Sequence, residues 1–128
     1  MDVTPLIPKG QQIIQGYANG EFKVSGKAYA HPVIISPQEI FLWEILDIKN
    51  VSNLSIEHFS PLVERASDID VLLIGSGKDM AFLPPALRGQ LKQKGLSADI
   101  MDTGAACRTY NVLMAEGRRV ICALMLCQ

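Results

Sequence analysis

The run VLLIGSG at residues 71–77 is the stretch that decides the fold. Its four apolar residues are typical of a strand buried in the middle of a sheet, and the Gly-Ser-Gly that follows indicates a sharp turn. After this turn, Leu83, Leu87 and Leu91 recur every four residues, with Pro84 and Pro85 directly after the first leucine and Gly95 after the last. This spacing predicts a helix that begins at the prolines, ends at the glycine and packs against the strand.

The alternation of strand and helix patterns continues towards the end of the chain. Residues 98–101 predict a second strand, and a helix follows that is capped by Asp102 or Thr103 and ends at Gly117. Residues 120–126 predict a last strand. The order β, α, β, α, β is typical of an α/β layer, in which right-handed crossovers place helices against a largely parallel sheet.

The first half of the chain predicts β-structure with tight turns, which must extend or cover that sheet. Asn19-Gly20 lies between two apolar segments and is typical of a type I′ hairpin turn. Residues 33–35 predict a short strand, whereas residues 40–45 fit a strand or one helical turn equally well. A short helix is expected to start at Ser55 or Ser60.

Length and composition predict one domain over residues 1–128. The chain is 48% hydrophobic and 20% charged with a net charge of −1, so a hydrophobic core can form without disulfides, and a dedicated nucleic-acid binder is excluded. The longest apolar run, from Val120 to Cys127, is far shorter than the about 20 residues of a membrane span. No signal peptide or presequence is recognisable, and a cytoplasmic location is expected.

The cysteines and histidines do not form a pattern typical of a metal site. Cys107, Cys122 and Cys127 have no CxxC pairing, and His31 and His58 are far apart in the sequence. We therefore expect no metal and no cofactor. The single tryptophan, Trp43, is expected in the core, with an interface anchor as the alternative.

Three segments of the chain carry a resemblance to a known family. MDTGAACRTYNVLMAEGRRV (101–120), LLIGSG (72–77) and, more loosely, NGEFKVSGKAY (19–29) resemble mitochondrial complex I assembly factor 3 and its uncharacterised bacterial and archaeal relatives, the MTH938-like domain. The resemblance runs from about Ile13 to Leu126. Because this sequence shows no presequence, it is more similar to a bacterial member than to a mitochondrial one.

The resemblance implies both a fold and a function. The implied fold is a single three-layer α/β domain with a mixed central sheet, a β-rich N-terminal layer on one side and helices on the other. The implied function is assistance in the assembly of a membrane-bound respiratory complex, by binding partner proteins and without a known reaction. Peripheral association with the membrane would then take place through such a partner.

Two loops are expected to form a crevice at the carboxyl ends of the central strands, where ligands bind in open α/β sheets. These loops are Gly75-Ser76-Gly77 and Asp102-Thr103-Gly104, and they meet if their strands are neighbours. The glycine spacing does not match a dinucleotide or P-loop motif. A simple turn after a buried strand is therefore favoured over an anion site, although Lys78 keeps the anion site as an alternative.

The helix after Asp102 carries the remaining candidates. Helical spacing places Tyr110 and Leu113 in the core together with Leu124, so Cys107 on the same face is interpreted as a packed thiol rather than a nucleophile. Arg108 and Asn111 lie off that face, three residues apart. They are expected to face solvent, a neighbouring loop or a partner.

These observations leave two hypotheses for the function. The first is a non-catalytic assembly factor or adaptor that binds partner proteins. The second is a binder of small anionic ligands, or a thiol-dependent enzyme, that uses the crevice. No complete catalytic set is present, and no catalytic residue is assigned. The candidate binding residues are Gly75, Ser76, Gly77, Lys78, Asp102, Thr103, Cys107, Arg108 and Asn111.

Overall fold

A mixed five-stranded sheet forms the central layer of the computed structural model, which describes residues 11–45 and 47–127. Its strand order is β5-β4-β8-β6-β7. The three strands of the second half, β6, β7 and β8, are parallel to one another, while β4 is antiparallel to both β8 and β5. The five strands are β4 (Val33–Ile35), β5 (Ile40–Leu42), β6 (Val71–Gly75), β7 (Ala98–Met101) and β8 (Val120–Leu124).

A small antiparallel sheet contains the first three strands, β1 (Ile14–Gly16), β2 (Phe22–Val24) and β3 (Lys27–Tyr29). The predicted hairpin between β1 and β2 is confirmed. Asn19 and Gly20 have φ angles of 60° and 73°, and two positive values in succession are what a type I′ turn requires. Phe22 and Val24 are buried, so one face of this sheet packs against the rest of the protein.

Both faces of the central sheet are covered, and β8 shows this most clearly. Its five residues are all buried, because β8 lies in the middle of the sheet. Val120, Cys122 and Leu124 belong to one apolar cluster, and Ile121 and Ala123 to the other. The strand therefore reads as a continuous apolar run rather than as an alternating pattern.

The helices divide between the two faces. The helices α1 (Ser60–Glu64) and α2 (Pro85–Gln93) pack on one face through Leu62, Leu87 and Leu91. The longest helix, α3 (Thr103–Ala115), packs on the other face together with the small sheet. The three-layer α/β fold is confirmed, with α3 in the layer of the small sheet rather than in the layer of the other helices.

The strand order explains where α3 lies. The chain moves from β6 to its neighbour β7 in one direction, and then returns across β6 to reach β8. Crossovers of the same hand that run in opposite directions place their helices on opposite faces of a sheet. The loop that follows β6 therefore runs to one face of the sheet, and the loop that follows β7 runs to the other.

Several boundaries differ from the sequence predictions or resolve their alternatives. Residues 40–42 form a strand, and the helical segment after Ser55 consists of a 3₁₀ turn (Ile56–Phe59) that continues into α1. The last strand ends at Leu124, two residues earlier than predicted, because both of its neighbours stop there: Leu124 pairs with Gly75 at the end of β6 and with Val33 at the start of β4.

Trp43 is a core residue, as predicted. Its side chain is 1% exposed and packs edge-on against the ring of Phe59. Its indole Nε1–H donates a hydrogen bond to the backbone oxygen of His58 at 2.8 Å, which satisfies the one polar atom of the buried ring.

Candidate functional site

The two predicted loops meet at the carboxyl ends of β6 and β7. These strands are parallel neighbours, with Gly75 opposite Met101. The backbone N–H of Gly77 donates to Thr103 Oγ1 at 2.8 Å, and the N–H of Thr103 donates to the oxygen of Gly77 at 2.8 Å. Ser76 N–H adds a third hydrogen bond to the oxygen of Met101. The loops are thus bonded directly to each other.

Little room remains between these loops. A Cβ atom at Gly75 would lie 2.8 Å from both Leu124 Cδ2 and Thr103 Oγ1, so no side chain fits there. Thr103 is fully buried, and its hydroxyl donates to the backbone oxygen of Met125 at 2.7 Å. Gly77 has a φ of 102°, a conformation that glycine adopts most easily. The predicted crevice is therefore closed by internal hydrogen bonds.

An open cleft of about 580 Å³ lies beside the loop that follows β6. We call it the loop cleft and define it by residues 76–81 on one wall, residues 30–32 and 48–51 on the other, and residues 125–126 at the end of β8. Three of the candidate binding residues, Ser76, Gly77 and Lys78, line it. The cavity therefore lies at the carboxyl ends of β6 and β8 rather than between the loops after β6 and β7.

The loop after β6 is held in shape by Ser76. The Ser76 hydroxyl donates to the backbone oxygen of Asp79 at 2.8 Å and accepts the N–H of Ala81 at 3.2 Å. The side chains beyond this turn are exposed: 49% of Met80 and 81% of Phe82 remain accessible. A rigid turn thus presents two large apolar side chains at the carboxyl end of the sheet.

Asp102 and Cys107 have structural contacts in α3. Asp102 is the N-cap of the helix, and its Oδ1 accepts the N–H of Ala105 at 2.9 Å. Cys107 is 1% exposed within the apolar cluster that also contains Tyr110. Burial raises the pKa of the Cys107 thiol to about 12, and this effect exceeds the opposing effect of the Arg108 charge. The arrangement agrees with a packed thiol.

Arg108 and Asn111 both contact the N-terminal β-structure. Arg108 is exposed, and its Nη1 donates to the hydroxyl of Tyr17 at 2.7 Å. Asn111 Nδ2 donates to the oxygen of Ile14 at 2.7 Å, and Asn111 Oδ1 accepts the N–H of Ile14 at 3.0 Å. The Asn111 side chain therefore faces β1 rather than solvent, while the Arg108 side chain is open to it.

The predicted core of α3 is confirmed for Tyr110, which is fully buried with its hydroxyl donating to the oxygen of Gln12 at 2.9 Å. Leu124 is fully buried as well, whereas Leu113 is half-buried and packs at the margin of the same cluster.

Along the ranges that the structure describes, no group of three metal-binding side chains occurs, and no helix is both long and apolar enough to cross a bilayer.

Sequence reasoning missed the far walls of the loop cleft. His31, Lys49 and Met125 come from three segments that are distant in the sequence and carry no motif. The pairing of β4 with β8 brings His31 towards the end of β8, because Val33 is opposite Leu124. These residues are recognised as lining the loop cleft only from their common position at one end of the sheet.

Comparisons with known proteins place the chain in a family. Residues 14–125 match the family described as "Protein of unknown function (DUF498/DUF598)". An uncharacterised protein of Rhodobacter capsulatus is 35% identical over 112 residues, which are 88% of this chain and 82% of that protein. A Xenopus tropicalis protein named NADH dehydrogenase [ubiquinone] 1 alpha subcomplex assembly factor 3 is 30% identical over 88% of this chain. This chain covers only 60% of the length of that assembly factor.

A solved structure with the same fold also supports the family membership. A Bordetella pertussis protein described as an Mth938-like domain is 26% identical and superposes with a TM-score of 0.77, over 98% of this chain and 92% of that one. The chain therefore belongs to the DUF498/DUF598 family of proteins of unknown function and has the fold of the Mth938-like domain.

Proposed function

We propose that this protein is a non-catalytic assembly factor or adaptor that binds a partner protein during the biogenesis of a membrane-bound respiratory complex. The name of the Xenopus tropicalis relative supports this role, since 88% of the present chain aligns with that assembly factor. The partner would be a subunit or an assembly intermediate of a NADH dehydrogenase. The protein would act in the cytoplasm and would reach the membrane only through that partner.

The exposed apolar side chains at the carboxyl end of the central sheet carry this proposal. We call Met80 and Phe82 the apolar edge. They are two of the four large apolar side chains that are exposed in the described ranges. They lie two residues apart in the segment between β6 and α2. Neighbouring exposed Met and aromatic side chains are typical of protein interfaces.

The contacts of the candidate site also favour binding over catalysis. The Cys107 thiol is buried, and with a pKa of about 12 it stays protonated near neutral pH, whereas the thiolate is the nucleophilic form. The backbone N–H groups of Gly77 and Thr103 already donate hydrogen bonds to each other's residue. Among the candidate binding residues, Lys78 and Arg108 are exposed, and we assign Arg108 to the partner-binding surface.

A complementation experiment tests the proposal. The gene is deleted in the native cell, and assembled NADH dehydrogenase is measured by native gel electrophoresis and by NADH:quinone activity of the membranes. Deletion is expected to lower both, and the wild-type gene to restore them. Phe82→Ser is expected to fail to restore them, because it removes an interface anchor, and losing such an anchor commonly costs about 2 kcal/mol of binding.

Val112→Ser provides the matched control. Val112 is 57% exposed but lies on α3, outside the apolar edge, so its replacement removes a comparable exposed apolar side chain from another surface. We expect this variant to complement as well as wild type. Normal assembly of the complex in the deleted strain would contradict the proposed function, and equal complementation by both variants would contradict the role of the apolar edge.

A further inference from the structure

We infer that the loop cleft binds a small organic anion, in which a carboxylate or phosphate group is attached to a short apolar chain. The cleft shares Met80 with the apolar edge, whereas Phe82 does not line it, and binding of a small anion does not require a protein partner. Its volume of about 580 Å³ lies in the range of about 300–1,000 Å³ that is typical of small-molecule sites.

Apolar residues form part of the lining of the loop cleft. Pro32, Val51 and Met125 line it, and all three are buried residues of the protein. Val51 and Met125 belong to the apolar cluster on the face of α2, so the cleft is continuous with the core. A ligand that places an apolar chain against these side chains removes that chain from water, which favours binding.

The rim of the loop cleft carries more cations than anions. Lys49 and Lys78 are exposed on its two walls, and among residues 11–45 and 47–127 Asp79 is the one carboxylate that lines it. Within the described ranges, the salt bridges are Arg65–Glu39 and Arg119–Asp70, so neither lysine is used in one. Two ammonium groups on opposite walls attract a negatively charged head group.

His31 gives the rim a further polar atom. Its Nδ1 lies 2.9 Å from the backbone oxygen of Pro32, and because a carbonyl only accepts, Nδ1 carries the proton in that contact. In the neutral ring, Nε2 is then an acceptor, which suits a ligand hydroxyl or a bridging water. The cleft thus combines apolar lining residues with polar groups that can orient a ligand, as ligand sites do.

The wall formed by the loop after β6 is preformed. Ser76 is 8% exposed and holds both Asp79 and Ala81 through its hydroxyl, while Gly77 is tied to Thr103. A wall that is already ordered loses little conformational entropy when a ligand binds. The position also matches the general preference of α/β sheets for binding ligands beyond the carboxyl ends of their strands.

Binding of simple probes to the purified protein tests this inference. Octanoate and octyl phosphate supply the two head groups on the same chain, and octylammonium is the cationic control. We expect saturable shifts of the amide NMR signals of residues 76–81 and 48–51 with both anions. Octylammonium is expected to bind at least about tenfold more weakly, because it meets two ammonium groups at the rim. Tighter binding of either anion supports the site and identifies the preferred head group.

Charge variants separate a specific site from general attraction. Replacing both rim lysines, in the double variant Lys49→Gln and Lys78→Gln, is expected to weaken octanoate binding about tenfold, since each exposed pair contributes modestly. Lys94→Gln is the matched control, because Lys94 is an exposed lysine at the far end of α2. Ala30→Trp, at an exposed position of the lining, is expected to block the cleft without disturbing the core.

Three results would overturn the inference: no saturable shift with either anion, equal binding of octylammonium, or an equal loss of affinity in Lys94→Gln. Phe82→Ser leaves the lining of the cleft intact and is expected to bind octanoate as wild type does. Failure of this inference is therefore distinguishable from failure of the proposed assembly function, which is read from the respiratory complex.

Discussion

Thr103 and Gly77 hydrogen-bond to each other in both directions, each through its backbone N–H, at 2.8 Å. The Thr103 hydroxyl also donates to the oxygen of Met125, so one side chain connects the loop after β6, the first residue of α3 and the end of β8. Since Thr103 is fully buried, water does not replace these contacts. The shape of the loop cleft therefore depends on Thr103, although Thr103 does not line it.

Thr103→Val removes the hydroxyl and keeps the volume of the side chain. The N–H of Gly77 and the oxygen of Met125 then lose their partner in a buried place, which costs about 1–3 kcal/mol for each unsatisfied group. We expect the free energy of unfolding to fall by about 2–4 kcal/mol, measured by urea denaturation.

Thr103→Ser is the control for this prediction, because it keeps the hydroxyl and loses only a buried methyl group. A loss of about 1 kcal/mol is expected for it. If the valine variant were as stable as the serine variant, the hydroxyl would not be the group that holds the two loops together.

Local signals in the sequence predict the elements well. Asn19-Gly20 adopts the two positive φ angles that its residue types favour, and Asp102 caps α3 with its own carboxylate. The buried run at residues 71–74 becomes the strand between β7 and β8, where both faces are covered. In each case the residues that decide the structure are neighbours in the chain.

Features that depend on distant residues could not be predicted in this way. Asn111 binds Ile14, a residue 97 positions away, so its helical position alone left solvent, a neighbouring loop and a partner as alternatives. The loop cleft lies beside β8 because β8 inserts between β4 and β6, and this order is not encoded in any single segment. The same strand order moves α3 to the face of the small sheet.

Arg108→Ala tests the part of the partner-binding surface that lies on α3. The Arg108 side chain is exposed and donates an exposed hydrogen bond to the hydroxyl of Tyr17, so we expect a stability change below about 1 kcal/mol and a nearly unchanged melting temperature. If Arg108 is an interface anchor, recovery of the partner in a pull-down falls strongly.

Arg88→Ala is the matched control for Arg108→Ala. Arg88 is also exposed and also makes one hydrogen bond, to the oxygen of Ala98, but it lies on α2. We expect its partner recovery to equal that of wild type. Equal recovery with both variants would remove Arg108 from the binding surface, and a large drop in the melting temperature of Arg108→Ala would show a structural role.

Alkylation kinetics test the state of the Cys107 thiol. Burial, with a smaller contribution from the nearby Cys127, raises the pKa of the thiol to about 12, so the protonated and unreactive form predominates at neutral pH. We expect iodoacetamide to label the half-buried Cys127 first in the native protein, and Cys107 only slowly. Peptide mass spectrometry over time measures both rates.

Cys122 serves as an internal reference in the same experiment, because it is fully buried and its pKa is raised by burial as well. Cys107 and Cys122 are expected to react at similar low rates in the native protein, and all three cysteines to react rapidly in urea. Fast labelling of Cys107 alone in mildly acidic buffer would contradict the packed thiol and would reopen a thiol-dependent reaction.

Asn111→Asp tests how β1 is attached to α3. The Asn111 amide acts as a substitute for a neighbouring strand, since it donates to the oxygen of Ile14 at 2.7 Å and accepts the N–H of Ile14 at 3.0 Å. A carboxylate still accepts the N–H, but it donates nothing and places an oxygen against the carbonyl oxygen of Ile14. We expect the free energy of unfolding to fall by about 2 kcal/mol.

Hydrogen exchange is expected to accelerate at the amide of Ile14 and at Gly16 and Val24, while exchange in β6 and β8 stays at its wild-type rate, because the hydrogen bonds of the Asn111 side chain go to β1 of the small sheet. Faster exchange throughout the central sheet would show that Asn111 supports the whole fold, and unchanged exchange at Ile14 would show that its amide bonds are dispensable.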